Sequence, residues 1–70
     1  MKIGNFIQNI SFSQQLWKSK NLLDNTHNGH FEINQTALIL QISSSRNIIK
    51  ILTNNGKIGW ISAHNQQIIQ

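Results

Sequence analysis

The chain has 70 residues, no cysteine and no proline, with six basic side chains against two acidic ones and a net charge of +4. That length allows one small domain with a limited core, because chains of this size bury only about 60% of the surface their unfolded form exposes. The absence of cysteine excludes a disulfide framework and a thiolate metal site, and the basic balance permits nucleic acid or an anionic surface as a partner.

Asp24 and Glu32 face Lys2, Lys18, Lys20, Arg46, Lys50 and Lys57, yet charged residues make up only 11% of the chain. The high pI therefore reflects scarce acids more than abundant bases. Isoleucine dominates the apolar set, and branching at Cβ suits extended backbone better than helix.

From the N-terminus, Lys2 to Ile10 reads as a first strand with imperfect alternation, Ile3 and Ile7 on one parity and Phe6 and Ile10 on the other. Gln8 and Asn9 interrupt any apolar run after Lys2, which argues against a secretion signal. No run approaches the roughly 18–20 apolar residues of a membrane span. Asn9-Ile10-Ser11 and Asn34-Gln35-Thr36 fit the glycosylation sequon but read as chance matches without an export signal.

Ser11 to Leu23 reads as a long loop, with room for one helical turn and with Phe12, Leu16, Trp17, Leu22 and Leu23 as anchors. Asn28-Gly29 predicts a turn, since both residues tolerate positive φ. Phe31 to Ile42 predicts a long strand, and Ala37 to Leu40 is apolar on both parities, as suits a strand bending around a small barrel. Ser43 to Ser45 is a turn, Asn47 to Thr53 a strand, and Asn54-Asn55-Gly56 a tight reversal. Lys57 to Ser62 is the next strand, Ala63 to Gln66 a tight turn, and Gln67 to Ile69 a closing strand.

The stretch Gly56-Lys57-Ile58-Gly59-Trp60-Ile61-Ser62-Ala63-His64-Asn65 resembles the end of an SH3 or bacterial SH3-like domain. Those domains have a turn glycine, a strand with Gly-aromatic-aliphatic, one 3₁₀ turn and a last strand. Ile48 to Thr53 and Ala37 to Ile42 fit the two preceding strands, so the resemblance covers residues 37–69. It implies an all-β fold: one SH3-like barrel over residues 1–70, of about five short strands, with a long loop after the first. The peptide-binding members place a proline and a tyrosine where Ser62 and Asn65 stand, and a tryptophan near Asn47-Ile48. Polyproline recognition needs those aromatic ridges, so it is not expected here. Similar single barrels occur as small accessory proteins of tailed bacteriophages, and the Ile/Asn-rich composition suits an A+T-rich genome. Those features suggest a cytoplasmic or virion-associated protein.

No enzyme signature is visible. Acid–base catalysis uses paired groups in contrasting environments, and Asp24 and Glu32 are the only carboxylates. His27 and His30 around Asn28-Gly29, with Asp24 and Glu32 near in sequence, form the best metal-like group. Without cysteine they do not define a tetrahedral site, and a solvated loop is the better reading. No cofactor or metal is expected.

Two binding readings remain. The first is a non-catalytic protein-interaction or structural module, with self-association or a protein partner, using Trp17, Leu22, Leu23 and Trp60. Large aromatics anchor interfaces, although they also close barrel ends. The alternative is a small nucleic-acid-binding barrel using Lys18, Arg46, Lys50 and Lys57, set against ordinary solubilising charge. The scarcity of aromatics favours the first.

Overall fold

The computed structural model describes residues 2–18, 27–43, 47–63 and 66–69. They form seven strands: β1 (Phe6–Asn9), β2 (Gln14–Trp17), β3 (His27–Phe31), β4 (Thr36–Ser43), β5 (Ile48–Thr53), β6 (Ile58–Ser62) and β7 (Gln66–Ile68). All belong to one antiparallel sheet in the order β3-β2-β6-β5-β4-β1-β7, curled into a half-barrel. Among the described residues there is no helix, and so none long and apolar enough to cross a membrane.

The β4-β5-β6 meander is the centre of the sheet. Its two cross-strand ladders run from Ala37↔Thr53 to Ser43↔Ile48 and from Ile48↔Ser62 to Leu52↔Ile58. The expected reversal at Asn54-Asn55-Gly56 is present. Gly56 N–H donates to the Thr53 carbonyl at 3.0 Å, and Gly56 takes φ 87°, as three-residue hairpins with a left-handed last residue require. The Thr53 hydroxyl is buried beneath this turn, hydrogen-bonded to the Asn55 side chain and accepting the Lys57 N–H at 3.0 Å.

The core lies on the concave face. Ile7, Leu16, Phe31, Ala37, Ile39, Ile49, Ile51, Ile61 and Ala63 form one buried cluster. The alternation of Ile49, Ile51 and Thr53, and of Gly59 and Ile61, comes from strand period two. β4 departs from it. The register slips between Ile39 and Gln41, so Leu40 is the extra residue of a bulge. The apolar run on both parities has two sources: Ala37 and Ile39 face the core while Leu38 faces outward opposite Leu52, and Leu40 is the bulge residue.

The departures from the sequence-based expectation lie mainly in the first half, where the first strand is Phe6–Asn9 rather than Lys2 to Ile10; in the second half the last strand is Gln66–Ile68 rather than Gln67 to Ile69. The sheet has seven strands rather than five. Gln14–Trp17, expected within a loop, is a strand pairing with both β3 and β6. Phe31 ends β3 instead of opening the long strand, because the 32–35 segment turns the chain: Gln35 N–H donates to the Glu32 carbonyl and Asn34 takes φ 70°. The Asn28-Gly29 signal belongs to β3 itself. Gln15↔His30 and Trp17↔His27 leave Asn28 and Gly29 opposite Leu16 alone, and Gly29 has φ 91°. The positive-φ preference that predicts a hairpin tip serves a bulge here, which uses the same backbone conformation.

β2 can reach the sheet because of Gly59. A Cβ added there would stand 2.6 Å from the Leu16 Cβ and 3.1 Å from the Leu16 Cα and carbonyl carbon. Those atoms are backbone or fixed to it, so they cannot swing aside. The glycine beside Trp60 is therefore the gap through which Leu16 enters the core.

Asn9 is the other fixed point, a fully buried polar side chain. Its amide nitrogen donates to the Phe12 carbonyl at 2.8 Å and the Phe31 carbonyl at 2.9 Å, while its oxygen accepts the Ser11 N–H at 3.2 Å. Its backbone bonds to Gln35 and Asn34. One residue thus ties β1 to the segment entering β2, to the end of β3 and to the 32–35 turn. Its amide nitrogen is committed to two carbonyls, so the Asn9-Ile10-Ser11 triplet is closed to glycosylation in the folded chain.

Two substitutions test these fixed points. Gly59→Ala overfills the β2–β6 contact and is expected to destabilise by about 1–3 kcal/mol, read by thermal or urea unfolding. Wild-type stability in Gly59→Ala would remove the steric account. Asn9→Ala leaves buried carbonyls without their donor and should cost about 2–4 kcal/mol; a loss below the error of the unfolding measurement would show that water or rearrangement replaces those bonds.

Candidate functional site

The convex face of the sheet carries the side chains that the core parity leaves over. Cross-strand registers align them in rows. Phe6↔Leu38, Leu38↔Leu52 and Leu52↔Ile58 make one apolar row across four strands. Gln41↔Lys50, Lys50↔Trp60 and Trp60↔Trp17 make the next row. Beyond it runs Ser43–Ile48–Ser62, where Ile48 is buried. The open area is therefore the first two rows, in which Phe6 and Ile58 are 42% and 44% exposed and Leu38, Leu52, Trp17 and Trp60 are half-buried.

Trp17 and Trp60 thus stand side by side on one face. Core-facing Leu16 and Gly59 precede them, so alternation turns both indoles outward. Residues 43 positions apart in sequence meet here only because β2 crosses to β6. The Lys50 ammonium lies 5.9 Å from the centre of the Trp60 ring. At a partly exposed site such a contact contributes about 0.5–1 kcal/mol.

Among the described residues the cations do not gather in the same way. Lys50 is on the convex face, and Lys18 follows Trp17 and is exposed. Lys57 has the opposite parity to Lys50. It sits across the hairpin from Thr53, and its side chain runs over Gly29 of β3, where an added Cβ would come within 2.6 Å of the ammonium nitrogen. Their adjacent strands suggest that Lys50 and Lys57 belong together, but strand alternation sends them to different sides. Arg46 lies outside the described residues, as do Lys20, Leu22, Leu23 and Asp24.

His27 and His30 are in β3, their backbones paired with Trp17 and Gln15. Among the described residues no three histidine, cysteine or carboxylate side chains come together in a group able to hold a metal ion.

Sequence alone does not reveal Phe6, Leu38, Leu52 and Ile58 as surface residues. Each looks like core in composition, and only the registers show that they share the outer face. Beside the first three is an open cleft of about 150 Å³, lined by Phe6, Leu38 and Leu52 with Thr36, Ala37, Thr53 and Asn54 at its wall. It is predominantly apolar, and Asn54 N–H closes one side by donating to the Thr36 carbonyl at 3.0 Å.

No family model, curated protein or solved structure matches the chain.

Proposed function

We propose that the chain is a non-catalytic protein-interaction module on an SH3-like small barrel, and that it binds through the convex face of its sheet. The observation that carries this reading is the pair of aligned rows, Phe6–Leu38–Leu52–Ile58 and Trp17–Trp60–Lys50, which places half-exposed and exposed apolar side chains in register on one face of the sheet, whereas other exposed apolar residues such as Ile3, Phe12 and Ile33 lie outside these rows. Contiguous apolar surface rimmed by polar residues marks interaction sites, and tryptophan is favoured at their centres. The SH3-like assignment is supported by the β5–β6 hairpin and the Gly59-Trp60-Ile61 strand, with two strands added in the first half. A small virion or accessory protein of a bacteriophage is the setting we favour, on composition.

Nucleic-acid binding is the second reading, because Trp17, Trp60 and Lys50 form an aromatic–cationic row beside Lys18. Aliphatic side chains make up most of the adjoining row, however, and these do not stack on bases. Lys57 on the other parity also removes a phosphate contact from that face.

The readings separate in solution. In affinity capture from the native source, Trp17→Ala and Ile58→Asp should each lose the partner that wild type retains while keeping the wild-type circular dichroism spectrum. Retention of the same partner by both variants sinks the convex face as the site. Binding of a single-stranded oligonucleotide at low salt, weakening steeply as salt rises, would instead establish the nucleic-acid reading.

A further inference from the structure

We infer that the cleft at Phe6, Leu38 and Leu52 receives one apolar side chain of an extended, acidic segment of a partner protein, and that a carboxylate of the same segment meets Lys50. This rests on the reading of the convex face as a protein-binding surface and names the chemistry that face selects.

Size is the first argument. The cleft holds about 150 Å³. That is the scale of a cavity that admits benzene, and well below the roughly 300 Å³ at which small-molecule pockets begin. It suits one leucine or phenylalanine side chain rather than a metabolite. Its wall offers aliphatic and aromatic surface, with a polar edge at Thr36, Thr53 and Asn54 where the Asn54 N–H already donates to the Thr36 carbonyl and the Thr53 hydroxyl is bonded within the hairpin turn.

Charge is the second. Glu32 is the sole acidic residue among those described, and it lies in the turn after β3, so the described convex face has no carboxylate. Its cation in the open rows is Lys50. Two copies of this chain would bring together two bodies of charge +4, which disfavours a second copy as the occupant. An acidic segment has the opposite sign.

Spacing joins the two. Lys50 and Leu52 are alternate residues of β5 and share its outer side. Alternate residues of an extended chain are separated by about 6.5–7 Å. A segment lying extended along β5 would place an apolar side chain and a carboxylate two positions apart over the cleft and over Lys50. The ammonium is already positioned by the Trp60 ring, 5.9 Å away, so the carboxylate would meet a partly ordered group.

The test is titration of the full ¹⁵N-labelled chain with capped hexapeptides, followed by amide and indole resonances. The first peptide has one leucine and an aspartate two positions from it; the others replace leucine by alanine or aspartate by lysine. The expected result is saturable shifts at Leu38, Leu52, Thr53 and the Trp60 indole with the first peptide. The alanine peptide should bind at least roughly tenfold more weakly, from the lost burial of one leucine side chain. The lysine peptide should also bind more weakly, with the difference shrinking as salt rises. Absence of saturable shifts at millimolar peptide overturns the inference, as does equal binding of all three. Shifts at these residues on dilution of the chain alone would instead assign the face to a second copy, and shifts with an oligonucleotide would assign it to nucleic acid. The Leu38→Arg variant, which fills the cleft, separates the two proposals. If it keeps a captured partner that Trp17→Ala and Ile58→Asp lose, the cleft is wrong and the convex face stands. If all three keep it, both fall.

Discussion

The close approach of β2 to β6 at Gly59 is the constraint on which the other features depend. Backbone sits against backbone there, with no room for a side chain on β6. This contact lets Leu16 enter the core from a strand that pairs with β6 at a single register position, Trp17↔Trp60. β3 joins the sheet through β2, and Phe31 reaches the core from β3. β2 and β3 thus lie beyond β6 in the strand order, and their place in the sheet runs through the contact at Gly59.

The same contact sets the convex face proposed above as the binding surface. In a strand, the residue after a core-facing one points outward. Leu16 and Gly59 meet in the core, so Trp17 and Trp60 meet on the outside. The tryptophan pair is a geometric consequence of the packing beneath it. Asn9 performs a related task at the other end of the sheet. Its three side-chain hydrogen bonds hold the approach to β2 and the exit from β3 beside β1. A buried amide with every group satisfied specifies one arrangement of those segments where apolar contact alone would accept several.

Lys50 and Lys57 show how parity governs which residues share a face. A hairpin lies between them, and such a reversal can align like residues on one face or oppose them, according to loop length. Here the three-residue loop pairs Thr53 with Lys57 and Leu52 with Ile58, so Lys57 falls in line with core-facing Thr53 and Lys50 with the outward Trp60. Lys50 and Lys57 are thereby kept apart, while the apolar rows stay together. That difference, more than the net charge, is why a protein partner is proposed ahead of a nucleic acid.

Much of the second half of the fold was legible from residues alone. The Ile/Leu alternation of 48–52, the Asn54-Asn55-Gly56 reversal and the Gly59-Trp60-Ile61 strand act locally: side-chain period and turn conformation are properties of neighbours in sequence. The first half was not legible for the opposite reason. Gln14-Gln15-Leu16-Trp17 has no alternation of its own, and it becomes a strand because β3 and β6 supply hydrogen bonds on either side. Asn28-Gly29 announces positive φ, but whether that serves a hairpin tip or a bulge depends on what lies opposite. The sequence by itself determined an all-β chain, its central meander and Trp17 and Trp60 as candidate contacts. Only the tertiary structure decided that the two indoles are neighbours, that Phe6, Leu38, Leu52 and Ile58 face outward in one row with a cleft at the first three, and that Lys50 and Lys57 do not share one face. Strand pairing brings together residues distant in the chain, and a one-residue shift in register would reverse which of them are inside.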